Sequence, residues 1–194
     1  MVFIVIEGFS GTGKTTLARR LEREGWLRMA ESAHVVPRDV PVAERADTFA
    51  DYSLLGATMV YSSLISSFRA TRNLVSEGYL LSDLAYARIR FDLKKSEAYP
   101  SMLEICSKIM SHSEMKPDLY VLLMATRETI SARQERKNER ERNVDDFFRK
   151  RYYSALAEIH DALGEKNVET VSSDSHVETT FASVMSLLKQ RKLA

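Results

Sequence analysis

A single cysteine, Cys106, stands in a chain of 194 residues, so no disulfide can form within it and no cysteine cluster can hold zinc. A reducing, intracellular compartment is the expected setting. Glycine and proline are scarce as well, with seven and four residues, which leaves no composition for an interdomain linker or a low-complexity tract. One domain spanning 1–194 is therefore expected, long enough to bury a substantial core. An excess of one charge is also missing: 28 basic residues face 27 acidic ones, for a formal net of +1. That excludes the global field that draws nucleic acid or an anionic membrane, and any phosphate recognition has to come from local clusters. No apolar run approaches the roughly 20 residues of a membrane-spanning helix, and Met1–Glu7 lacks the length and basic start of a secretory signal. The expectation is a soluble, cytoplasmic protein with neither nucleic acid nor membrane as partner.

What is present is an alternation of short apolar runs with longer helical patterns. Val2–Ile6 is continuously apolar, the mark of a strand buried on both faces of a parallel sheet. His34–Val36, Tyr79–Leu81, Leu119–Met124 and Val168–Val171 are the further candidate strands. Between them, Ala57, Tyr61, Leu64, Phe68, Thr71 and Val75 recur at steps of three and four, as do Val144, Phe148, Tyr152, Ala155 and Ile159. Val177, Phe181, Val184 and Leu188 form another such face, opened by Ser175-x-x-Glu178, a capping box. This order predicts a three-layer α/β fold with a parallel sheet. Ligands of such sheets sit beyond the carboxyl ends of the strands. The Gly8 loop, Pro37–Asp39, Asp83 and the segment after Met124 then share one rim.

Gly8-Phe9-Ser10-Gly11-Thr12-Gly13-Lys14-Thr15 matches the phosphate-loop pattern in full, between a buried strand and an amphipathic helix carrying Leu17, Ala18 and Leu21. Its backbone N–H groups make an anion nest, and the helix that follows adds its positive end. Gly8 to Thr16 are thus the expected binding residues for ATP, with Lys14 on the β- and γ-phosphates and Thr15 on Mg²⁺. The chain has no Asn-Lys-x-Asp string to read guanine and no Asp-Glu strand end to activate water. A kinase needs neither.

Residues 133–142 read Arg-Gln-Glu-Arg-Lys-Asn-Glu-Arg-Glu-Arg. Arg133, Arg136, Lys137 and Arg140 share one helical face, where like charges repel by a few tenths of a kcal/mol per pair, roughly. Four cations without an acid among them point to an anion held against them. The segment is read as a lid over phosphates, with Arg136 and Arg140 as catalytic cations and Arg133 on the nucleotide. Asp83, expected at a strand end on the rim, is the candidate catalytic and Mg²⁺-holding carboxylate. Arg38 and Asp39, flanked by Pro37 and Pro41, and Arg88, five residues past Asp83, are the candidate acceptor residues.

These residues resemble the thymidylate kinases, with the deoxynucleoside kinases related. The likeness begins at Ile4–Thr16 and continues through Pro37-Arg38-Asp39, Leu80–Asp83, Ala85-Tyr86 and Pro117-Asp118-Leu119. It ends with the Arg-rich segment and Asp146-Phe147-Phe148. The resemblance implies a phosphate-loop nucleotide kinase with a five-stranded parallel sheet flanked by helices, usually a homodimer. It implies transfer of the γ-phosphate of MgATP to a nucleoside monophosphate of the dTMP type, with Ser173 beside the adenine. The sequence departs from the family on the acceptor side. The family's Asp-Arg pair reads Asp83-Leu84, Ser10 stands where an acid is frequent, and residues 54–60 lack the phenylalanine and arginine offered to thymine. A kinase for a nucleoside or other small hydroxyl substrate is the first alternative. A non-catalytic ATP-binding regulator is an alternative of another class.

Overall fold

The computed structural model describes residues 1–31, 48–93, 97–134 and 146–193. The elements run β1 (Phe3–Glu7), α1 (Lys14–Arg23), β2 (Leu27–Met29), α2 (Thr48–Arg69), β3 (Leu74–Glu77), α3 (Leu80–Asp92), α4 (Tyr99–Met110), β4 (Leu119–Met124), α5 (Arg127–Gln134), α6 (Asp146–Ala162), β5 (Val168–Ser172) and α7 (Val177–Gln190). The five strands form one sheet in the order β2-β3-β1-β4-β5, and every neighbouring pair is parallel.

The two-residue period of a strand sorts β1 between two cores. Phe3 and Val5 join the larger one, with Leu80, Leu84, Met102, Tyr152 and Ile159 from α3, α4 and α6. Ile4 and Ile6 join the smaller one, with Leu17 and Leu21 of α1 and Val184 and Leu188 of α7. All five residues of β1 are buried, as a strand covered on both faces must be. The fold is a three-layer α/β sandwich, as its strand–helix alternation predicts.

Three local expectations change, and one strand is present that was not expected. The third strand is Leu74–Glu77, and Tyr79–Leu81 instead opens α3. Leu80, Leu81, Leu84 and Ala85 are all buried there, and a short helix buried on every side cannot be told from a strand by its apolar run. Gly78, at φ 68°, makes the turn between them. The second strand is Leu27–Met29; His34–Val36 lies outside the described residues. The helical pattern of α2 stops at Arg69, so Thr71 falls in a turn and Val75 in β3. The inward face of α2 is Leu55, Thr58, Ser62 and Ile65, while Tyr52, Met59, Val60, Leu64 and Phe68 are exposed. Finally, α7 is capped by His176, whose ring accepts from the Glu178 N–H, rather than by Ser175.

Candidate active site

The carboxyl ends of the strands place Glu7, Glu77 and Ser173 on one rim, with Glu31 two residues past β2. The loop after β1 is shaped by three glycines with positive φ: Gly8 at 145°, Gly11 at 90° and Gly13 at 99°. At Gly8 the requirement is also steric. A Cβ there would lie 2.7 Å from both the Leu123 carbonyl and the Thr12 hydroxyl. Inside the loop, Thr12 donates its backbone N–H (3.2 Å) and its hydroxyl (2.8 Å) to the Phe9 carbonyl. Lys14, 8% exposed, donates Nζ to the Gly8 carbonyl at 2.8 Å. The Phe9 ring packs 5.8 Å from that of Tyr152, which ties the loop to α6. A cavity of about 490 Å³ opens over Ser10–Thr16, with Glu31, Arg133, Ser173 and His176 among its other walls.

Beside the loop, Thr15 donates its hydroxyl to Glu77 Oε2 at 2.5 Å. Glu77 is fully buried, and its second oxygen accepts from Arg28 of β2. Arg28 also lies 3.3 Å from Glu22. A buried carboxylate persists only when paired, and here both oxygens are taken. Thr15 and Glu77 are oxygen donors suited to a hard cation such as Mg²⁺, which keeps its waters and needs only one or two protein oxygens beside the phosphates. Among the described residues no cluster of three or more His, Cys, Asp or Glu could make an all-protein cage.

Asp83 is therefore not a strand-end carboxylate. It sits in the first turn of α3, 6% exposed, and accepts from the Thr58 hydroxyl of α2 at 2.5 Å. Glu77 holds the place by Thr15 that was expected of Asp83. Arg88 pairs with Asp92 and lies 3.6 Å from Glu158, on the α3–α6 side of the molecule. Arg38, Asp39, Arg136 and Arg140 lie outside the described residues. Arg133 and Ser173 do meet at the cavity, where Arg133 Nη2 donates to the Ser173 carbonyl at 2.5 Å.

Glu7, at the end of β1, belongs to the same rim. Its Oε2 accepts from the Ser82 hydroxyl and lies 3.4 Å from the Tyr152 hydroxyl, while Oε1 has no hydrogen-bond partner among the described residues. Burial pushes this carboxyl from 4.5 up to about 8, against the opposing pulls of the Ser82 hydroxyl and the Lys14 charge. The folded protein thus holds this proton to higher pH than the unfolded chain does. Stability from this group is full below pH 4.5 and is lost as pH rises towards 8. The loss is on the order of 3–5 kcal/mol. Glu7→Gln should flatten that fall. Urea midpoints at pH 5.5 and pH 8 check it, and equal pH dependence in both proteins would show that Glu7 is ionised in the fold.

No protein-family model and no curated protein sequence matches the chain. Solved structures do. A deoxyadenosine kinase from M. mycoides with bound dATP superposes with a TM-score of 0.73 at 15% identity, over 97% of this chain and 100% of that one. The same enzyme with bound dCTP gives 0.68 at 16% identity, over the same shares. A thymidylate kinase from Candida albicans gives 0.71 at 18% identity, over 99% of this chain and 92% of that one. The fold is that of the nucleoside and nucleotide kinases. Within this kinase fold, the strand preceding α3 ends at Glu77-Gly78.

Sequence reasoning missed Glu7, Arg28, Glu31 and Glu77. Glu7 carried a signal, being the lone ionisable group closing an apolar run. Glu77 was hidden by the misplaced strand. Arg28 and Glu31 carried none, because only strand pairing brings β2 beside β3.

Proposed function

We propose that this chain is a Mg²⁺-dependent phosphotransferase that moves the γ-phosphoryl group of ATP to a hydroxyl of a nucleoside-type acceptor. The observation that carries the reading is the phosphate loop on the sheet rim, with Lys14 inside it and the Thr15–Glu77 pair beside it. Lys14 exchanges the Gly8 carbonyl for the β- and γ-phosphates and stabilises charge on the group in flight. Thr15 and Glu77 would hold Mg²⁺, which would supply neutralisation of the phosphate charge. Thr15 can give its proton to Glu77 and keep a lone pair for the metal. Arg136 and Arg140 of the 133–142 segment are the proposed lid cations. The acceptor oxygen bonds to the γ-phosphorus, the bond to the bridging oxygen of ADP breaks, and the hydroxyl proton passes to a carboxylate. Glu31, on the cavity wall, is the proposed recipient.

The resemblance favours a monophosphate of the dTMP type as acceptor. The charge pairing of the described residues favours an uncharged nucleoside. Arg69 pairs with Asp118 at 2.6 Å, Arg88 with Asp92, and Arg90 with the fully buried Asp51. Asp51 would be left buried and bare if Arg90 turned to a substrate phosphate, whereas Asp92 keeps solvent and Asp118 keeps the Phe3 N–H. ADP release from MgATP against dTMP, dUMP, free nucleosides and a blank tests this. Stimulation by a nucleoside is expected. Stimulation by dTMP alone would move phosphate recognition to residues such as Arg38, and stimulation by nothing would leave an ATP-binding regulator.

The exposed apolar stripe of α2, from Tyr52 to Phe68, supports the homodimer that the resemblance implies, since contiguous apolar surface of this kind is usually covered. Sedimentation at twice the chain mass is expected, and Leu64→Glu should return it to one chain. A monomeric wild type would refute the dimer.

A further inference from the structure

We propose that Arg133 is a positioning residue that aims the phosphate loop by clamping carbonyls, rather than a cation that grips the nucleotide. This rests on the donor-site reading above and deepens it. The half-buried guanidinium sits in the last turn of α5. Nη1 donates to the Gly11 and Thr12 carbonyls, each at 3.3 Å. Nη2 donates to the Ser173 carbonyl at 2.5 Å and the Ser175 carbonyl at 3.4 Å. One planar fork thus joins the phosphate loop before α1 to the loop before α7. Nη1 also lies 3.8 Å from where a Gly13 Cβ would be, so the fork lies against the loop's tightest turn.

The placement is built, not incidental. The positive end of α1 repels a cation, and four carbonyl dipoles offset that repulsion. Helix α5 cannot swing to relieve it, because its other end is fastened to the same loop. The Asp174 carboxylate accepts from the Thr126 N–H at 2.7 Å and from its hydroxyl at 2.9 Å.

The consequence follows from peptide geometry. A trans peptide points its C=O and its N–H in opposite directions. Holding the Gly11 and Thr12 carbonyls towards Arg133 therefore turns the N–H groups of Thr12 and Gly13 away from it. The Thr12 N–H is spent on the Phe9 carbonyl. The Gly13 N–H is the one that the clamp aims for an incoming phosphate. A lysine keeps the charge but lacks the fork that reaches both loops.

The test uses the full chain with Arg133→Met and Arg133→Lys, titrated calorimetrically with ATP and with inorganic tripolyphosphate. Hydrogen exchange of the 8–16 peptide in the unliganded protein is followed alongside. Arg133→Met is expected to weaken both ligands by the same factor, about tenfold, and to speed exchange of the peptide. Arg133→Lys should recover little of either. Loss of ATP affinity with tripolyphosphate binding intact would overturn the proposal in favour of contact with the base. Full rescue by lysine would reduce the role to a point charge and overturn it as well, as would unchanged exchange. Should the wild type bind neither ligand while Arg133→Met still speeds exchange, the clamp stands and the donor-site reading fails.

Discussion

Lys14→Ala should abolish phosphotransfer, lowering kcat by at least about a thousandfold, the scale of removing a preorganised charge from a developing transition state. Nζ is the one side-chain cation that the structure places inside the loop itself, 2.8 Å from the Gly8 carbonyl. Its charge acts most strongly as the phosphoryl group loses its bridging oxygen, so kcat should fall further than ATP affinity. The fold should survive. The substitution leaves one carbonyl without its partner at a site bordering the cavity, a cost of about 1–2 kcal/mol. Single-turnover rates, nucleotide affinity by calorimetry and a urea midpoint separate these effects. Retention of a tenth or more of the wild-type kcat would place the chemistry elsewhere.

Glu77→Ala should be the next most damaging change, and its signature differs. It removes the acceptor of the Thr15 hydroxyl and strips Arg28 of its buried partner. Catalysis should fall by about a hundredfold or more, and the Mg²⁺ concentration for half-maximal rate should rise, since the hydroxyl offered to the metal loses its orientation. Stability should fall by about 2–3 kcal/mol, below the full cost of breaking a buried ion pair. Arg28 keeps 22% exposure and Glu22 at 3.3 Å, which softens the loss. Asp83→Asn is the control. It lies in the first turn of α3, facing the Thr58 hydroxyl of α2 rather than standing at the strand end beside Thr15, so its Mg²⁺ dependence should match the wild type. A Mg²⁺ shift in Asp83→Asn and none in Glu77→Ala would return the metal role to Asp83.

These two acids show where sequence reading worked and where it failed. The phosphate loop was legible because its function is local: eight consecutive residues carry the turn, the nest and the lysine, and their order alone specifies the chemistry. Strands β1 and β4 were legible because burial on both faces writes a continuous apolar run between polar boundaries. The boundary of β3 was not, because Leu80–Ala85 is buried on every side and its Leu80-Leu81 run reads equally as strand or helix. One misplaced strand moved the strand-end carboxylate by six residues, from Glu77 to Asp83. The inward face of α2 was misread for a related reason. Its buried positions Thr58 and Ser62 are polar, satisfied by Asp83, by the Tyr79 hydroxyl and by a carbonyl of the helix itself, while its larger apolar side chains face outward.

The sequence by itself determined an α/β chain with a phosphate loop, because both follow from short-range pattern and from residues adjacent along the backbone. Only the tertiary structure decided which carboxylate stands beside Thr15, that Glu7 is buried as a proton-holding acid, and that Arg133 spans two loops some forty and one hundred and twenty residues away in sequence. Those are properties of strand order and of burial. Parallel pairing brings together residues that the chain separates widely, and the charge state of a side chain depends on what surrounds it rather than on what precedes it.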